Sequence, residues 1–128
     1  MLPNTYRKLI ADHFSNNFRE ASKIVEAELK MPTGSEITIR NRYAGVNATD
    51  VNISAGLYTP SATPPIDLGA EMVGEVVAIG DKVTDYKVGD IIVSTAVGGY
   101  AEYLTVRSRF VLPVPEASQK WWRWWSAV

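Results

Sequence analysis

The stretch Gly69 to Val93, GAEMVGEVVAIGDKVTDYKVGDIIV, constrains this chain more than any other. Two apolar, β-branched runs, Val73 to Ile79 and Ile91 to Val93, flank a hydrophilic segment, as in a β-hairpin with a long loop. Gly80-Asp81 is a turn signal, because glycine reaches positive φ without steric cost. Gly89-Asp90 predicts a tight turn into the second run. Gly74 lies inside the first run, which predicts a bulge or a close backbone approach.

The chain has 128 residues, which favours one domain. A chain of this length buries about two-thirds of its unfolded surface, enough for a core. Net charge is −1 and the 13 basic residues are scattered, so nucleic acid is not an expected partner. No Lys or Arg occurs from Tyr43 to Asp81, so a phosphate site there would rest on backbone amides. Without cysteine there is no disulfide, thiolate nucleophile or cysteine-bound zinc. No apolar run reaches the roughly 18 residues of a membrane span, and the N-terminus does not read as a signal peptide. Soluble, intracellular and cytoplasmic is the default expectation.

Residues 1 to 6 read as a lead-in, and Lys8 to Asp12 as a short strand. Phe18 to Lys30 is helical by composition, yet its alternation also fits a half-exposed strand. Met31 to Glu36 is a turn. Glu36 to Val46 reads as a strand with Ile37, Ile39, Asn41 and Tyr43 on one face and Thr38, Arg40 and Arg42 on the other. Asn47 to Ala55 reads as a short helix, capped by Asn47 or Thr49, with Asp50 in its first turn and Gly56 at its end. Leu57 to Leu68 holds three prolines and is a loop of the kind that lines pockets. Tyr100 to Val106 and Phe110 to Val114 read as further strands.

The spacing G-x-E-x-x-G-x-V-x-x-x-G-x-x-V-x-x-x-x-x-G-D-x-x-V is filled at every fixed position, by Gly69, Glu71, Gly74, Val76, Gly80, Val83, Gly89, Asp90 and Val93. It resembles the N-terminal catalytic domain of the medium-chain dehydrogenase/reductases. The likeness is close from Asn41 to Pro115 and looser over Phe18 to Arg40. It implies a mainly β, GroES-like, partly open barrel with one or two short helices, and makes Phe18 to Lys30 a strand.

Zinc alcohol dehydrogenases carry V-C-H-T-D and G-H-E runs where this chain has Val46-Asn47-Ala48-Thr49-Asp50 and Gly69-Ala70-Glu71. Asn47 and Ala70 replace two metal ligands, so no zinc site is expected. The segments NFREA, RNRYAGVNATDVNISAGLY, PPIDLG and GYAEY resemble the metal-free branch, closest to the 15-oxoprostaglandin 13-reductase and quinone oxidoreductase group. That resemblance implies NADPH as cofactor and α,β-unsaturated ketones or lipid ketones as substrates.

In the related enoyl-thioester reductases a tyrosine in a D-I-N…Q-G-x-Y run serves as hydrogen-bond or proton donor. Asp50-Val51-Asn52…Ala55-Gly56-Leu57-Tyr58 matches it apart from Ala55, which makes Tyr58 the candidate catalytic residue. Composition alone would have Tyr58 as packing. Asn47 matches a position facing nicotinamide or substrate, with Asp50 beside it, although Asn47 also suits a helix cap. Asn52 departs from the tyrosine of quinone oxidoreductases, against a quinone preference. Glu71 reads as a brace more than a proton carrier, Asp90 as turn chemistry, Tyr100 and Tyr103 as barrel packing, and His13 as a surface residue.

No G-x-G occurs, so no Rossmann dinucleotide domain is expected in this chain and little reductase activity from it alone. The expected organisation is a lead-in and first strand over 1–17, a catalytic, substrate-side domain over 18–115, and an atypical tail over 116–128. That tail, containing QKWWRWWSAV, holds all four tryptophans. Two readings stand open: a truncated or altered splice product, and a basic-aromatic tail for membrane contact or self-association. The rival to a reductase half is a non-catalytic interaction or dimerisation module using the cleft face or this tail.

Overall fold

The structure, a computed structural model, describes residues 1–58 and 61–114; the tryptophan-rich tail lies outside them. The strands are β1 (Thr5–Ala11), β2 (Ser22–Glu28), β3 (Glu36–Ala44), β4 (Ile66–Asp67), β5 (Met72–Ile79), β6 (Ile91–Ser94), β7 (Tyr103–Arg107) and β8 (Val111–Pro113). Helix α1 is one turn, Phe18–Ala21, and α2 spans Ala48–Ser54. All strand pairings are antiparallel, in a sheet ordered β2-β1-β4 and a sheet ordered β7-β3-β5-β6-β8. Together they curl into a half-barrel.

The two apolar runs of the central motif become β5 and β6, paired from Met72↔Ser94 to Glu75↔Ile91. Gly74 is a close approach: a Cβ there would stand 2.5 Å from the Arg40 carbonyl oxygen. Gly89 has φ +98, and the Asp90 carboxylate closes its turn by accepting from the Lys87 backbone N–H at 2.9 Å. Beside β3, the chain after β5 binds back, Gly80 N–H donating to the Glu36 carbonyl.

Two expectations change. Phe18 to Lys30 is neither all helix nor all strand. Asn17 accepts from Arg19 N–H at 3.2 Å and starts one helical turn, and the alternating remainder becomes β2, in register with β1 along its whole length. Strand β3 does not keep two clean faces. Strand β3 alternates without a break against β7 over Glu36 to Arg40, so Thr38 is buried on the face opposite Ile37 and Ile39, whereas the register shift at Asn41/Tyr43 breaks the period and Tyr43 is exposed. Thr38 is satisfied inside by the Thr105 hydroxyl at 2.9 Å.

Two clusters form the interior. Ile37, Ile39, Met72, Val76, Ile92 and Val111, from the larger sheet, form one. Ala11, Ala21, Ile53 and Leu68 form a second, with Leu9 and Tyr100 packed against it. Each large aliphatic side chain buried this way contributes about 1.5–3 kcal/mol before entropy is counted. The sheets are joined by backbone: Leu9 N–H donates to the Tyr100 carbonyl, Tyr100 N–H to that of Leu68, and Leu68 N–H to that of Leu9, at 2.8, 3.0 and 3.2 Å. Strand β1, read from sequence as a short strand over Lys8 to Asp12, begins earlier, at Thr5, and is a stave of the barrel.

Candidate functional site

Helix α2 carries the site. Asn47 precedes it in extended conformation, φ −130, and its backbone N–H donates to the Asp50 carboxylate at 2.8 Å, the reciprocal arm of a capping box. Gly56 ends the helix at φ +76, and Leu57 N–H returns to the Asn52 carbonyl. Tyr58 follows. Seven residues make α2 about 10 Å long, so Asn47 and Tyr58 stand at its two ends.

Tyr58 is 55% exposed, and the Asn52 amide donates to its hydroxyl oxygen at 2.9 Å. An amide N–H only donates, so the phenol accepts there and keeps its own proton for another partner. At the other end, Asn47 Nδ2 donates to Glu71 Oε1 at 2.7 Å, and the Glu71 carbonyl accepts from Gly45 N–H at 3.3 Å. Glu71 therefore braces Asn47 and the loop before it.

Asp50, placed by sequence on the substrate side, is turned inward. It is 2% exposed, with Oδ2 taken by Asn47 N–H and the Tyr100 hydroxyl and Oδ1 by Ala70 N–H at 3.0 Å. A buried carboxylate with three donors binds the fold together rather than meeting a ligand. Its neighbour Gly69 has φ +96, and its carbonyl accepts from the N–H groups of both Gly98 and Gly99. A Cβ at Gly69 would strike the backbone of Gly99 and Tyr100, so the turn that presents Ala70 and Glu71 needs glycine.

Tyr100 packs in the second core, as expected, but its hydroxyl was missed by sequence reasoning. It lies 2.8 Å from Asp50 Oδ2 and 3.0 Å from the Gly45 carbonyl. Burial, then the Asp50 hydrogen bond and charge, then Glu71, push its pKa well above the ordinary tyrosine value. Tyr103 does pack, edge-on against Tyr6 with centroids 6.3 Å apart. Asn41 ties the same region down, its Nδ2 donating to the carbonyls of Gly99 and Ala101 at 2.9 and 2.7 Å.

Among the described residues, no three His, Cys, Asp or Glu side chains come together as a metal site, and no helix is long and apolar enough to cross a membrane. With every strand pairing antiparallel, these residues do not form the βαβ cradle that holds a dinucleotide pyrophosphate.

Residues 33–116 match the alcohol dehydrogenase GroES-like domain. The chain belongs to this family. The GroES-like domain is 38% identical over 122 residues to prostaglandin reductase-3 of Mus musculus, covering 94% of this chain and 32% of that protein. It is 40% identical over 116 residues to a probable quinone oxidoreductase of Leishmania amazonensis, covering 89% and 34%. The crystal structure of Escherichia coli quinone oxidoreductase complexed with NADPH superposes with a TM-score of 0.73 at 27% identity, over 88% of this chain and 34% of that one. Human synaptic vesicle membrane protein VAT-1 homolog-like protein shares the fold, with a TM-score of 0.80 at 23% identity over 89% of this chain and 36% of that one. The chain spans about a third of the length of the curated relatives it matches.

Proposed function

We propose that this GroES-like domain is the substrate-side half of a metal-free, NADPH-dependent reductase acting on the C=C bond of α,β-unsaturated ketones. The observation that carries the reading is the Asn52–Tyr58 hydrogen bond, which leaves the Tyr58 proton available to an incoming group. In enone reduction, a hydride adds to the β-carbon, negative charge gathers on the carbonyl oxygen, and a proton must reach the α-carbon. NADPH supplies the hydride when bound, and the described residues offer no cradle for it. Their own contribution is to receive the ketone. Tyr58 donates to the oxygen or protonates the α-carbon, and Asn47, fixed by Glu71, orients the reacting end.

The test is titration of the isotope-labelled chain with a 15-oxoprostaglandin and with a simple cyclic enone, followed by amide NMR, beside an NADPH titration read by nicotinamide fluorescence. Enone should displace the side-chain amides of Asn47 and Asn52, and Tyr58→Phe should remove the effect at Asn52. NADPH should not saturate this chain. Undisturbed Asn47 and Asn52 would sink the substrate-side reading; saturable NADPH binding with turnover would overturn the division of labour.

A second reading is a non-catalytic self-association surface. It is favoured by Val46, Val51 and Leu57, which stand 87, 42 and 62% exposed along and around α2. Sedimentation showing a monomer at every concentration would dispose of it.

A further inference from the structure

We propose that Tyr100 is a positioning residue whose hydroxyl, acting through Asp50 and the Gly45 carbonyl, holds the Gly45–Asn47 loop so that Asn47 faces the cleft. The inference rests on the reading of Asn47 as a ligand-facing residue.

The geometry is a short relay. The Tyr100 hydroxyl reaches Asp50 Oδ2 at 2.8 Å and the Gly45 carbonyl at 3.0 Å. A phenol carries one proton, so the two acceptors share it, with the shorter contact going to the carboxylate. The same Oδ2 accepts from Asn47 N–H at 2.8 Å. One hydroxyl therefore grips the loop at Gly45 directly and at Asn47 through a single intervening oxygen. Glu71 closes the ring: its carbonyl takes Gly45 N–H, and its carboxylate takes the Asn47 amide.

Tyr100 is itself anchored through its backbone and its ring. Its N–H and carbonyl are both engaged in the junction between the sheets, and its ring packs against the second core. The hydroxyl is a fixed point of the barrel, whereas Val46, between the two gripped residues, is 87% exposed and unsupported by packing. Position in this loop comes from hydrogen bonds, and Tyr100 is their anchor in the core.

The decisive experiment compares Tyr100→Phe with Tyr86→Phe in the full chain, by NMR of the Asn47 backbone and side-chain amides. Tyr86 also donates its hydroxyl to a backbone carbonyl, that of Val111 at 3.0 Å, but nothing links it to Asn47. Both variants should unfold at lower denaturant. Only Tyr100→Phe should displace the Asn47 resonances, by more than any displacement Tyr86→Phe produces there. Asp50→Asn, which alters the Asn47 N–H contact directly, sets the size of a full displacement, and Tyr100→Leu serves if the phenylalanine variant does not fold. Asn47 resonances unmoved in the folded Tyr100 variant, or moved equally by Tyr86→Phe, would overturn the proposal. No enone enters this measurement, so its outcome is separate from that of the ligand titration.

Discussion

Asn47 and Glu71, 24 residues apart in the chain, are joined by a 2.7 Å hydrogen bond from amide to carboxylate at the mouth of the candidate site. The bond is solvent-exposed, so it adds little stability and instead fixes where the amide points. Glu71→Ala should cost on the order of 1 kcal/mol or less in urea denaturation. It should nevertheless weaken the displacement of the Asn47 amide by enone. Full retention of that response would show that Asn47 needs no brace.

Asp50 is the opposite case. Replacing it by Ala strands two donors, Asn47 N–H and Ala70 N–H, and leaves the Tyr100 hydroxyl only the Gly45 carbonyl. Each buried donor left unsatisfied costs about 1–3 kcal/mol. Asp50→Ala should therefore destabilise by about 2 kcal/mol or more, measured by chemical denaturation. A loss below about 1 kcal/mol would mean that water satisfies the vacated donors.

Gly74 and Gly34 separate two penalties. A Cβ on Gly74 meets the Arg40 carbonyl oxygen at 2.5 Å, so Gly74→Ala must push β3 from β5, at about 1–3 kcal/mol. Gly34 has open space around it but φ +56, so Gly34→Ala should cost only the left-handed backbone strain, about 1–2 kcal/mol. The former should also broaden the amide resonances of Asn41 and Tyr43; the latter should leave them sharp.

Alkaline stability should report Tyr100. Its folded pKa lies above the ordinary value near 10, because burial and the Asp50 carboxylate favour the neutral phenol. The unfolded chain then loses this proton first as pH rises. Stability from Tyr100 is complete below about pH 10 and is lost as pH climbs through the folded value. Lys8, held up by Asp67, and Tyr86, held up by burial, decline in the same direction. The comparison is therefore between wild type and Tyr100→Phe, whose alkaline decline should be shallower. Equal slopes would place the Tyr100 hydroxyl outside the linkage.

Legibility from sequence followed the range of the forces. The β5–β6 hairpin, the α2 helix before Gly56 and the turn at Gly89-Asp90 are set by neighbours within a few positions, and all were readable. Tyr43 left the face of Ile37 and Ile39 because alternation assumes an unbroken pleat, and a bulge is decided by the strand opposite. The place of Asp50 in the first turn of α2 was visible in the sequence. Its burial was not, since Tyr100 is 50 residues away. A sequence pattern names an aromatic residue as packing; only the fold shows what its hydroxyl touches.

The junction of Leu9, Leu68 and Tyr100 also sets an order of events during synthesis. Strand β1 emerges first, yet two of its anchors, Tyr100 for Leu9 and Glu102 for Arg7, appear near residue 100. Such distant partners pay loop-closure entropy before they gain any contact. The hydroxyl that holds the cleft loop arrives on the same late segment. Until the ribosome has delivered it, the N-terminal strand has β2 and β4 beside it but no tie to the segment before β7, so an ordered Asn47 loop is a sign that the barrel has finished closing.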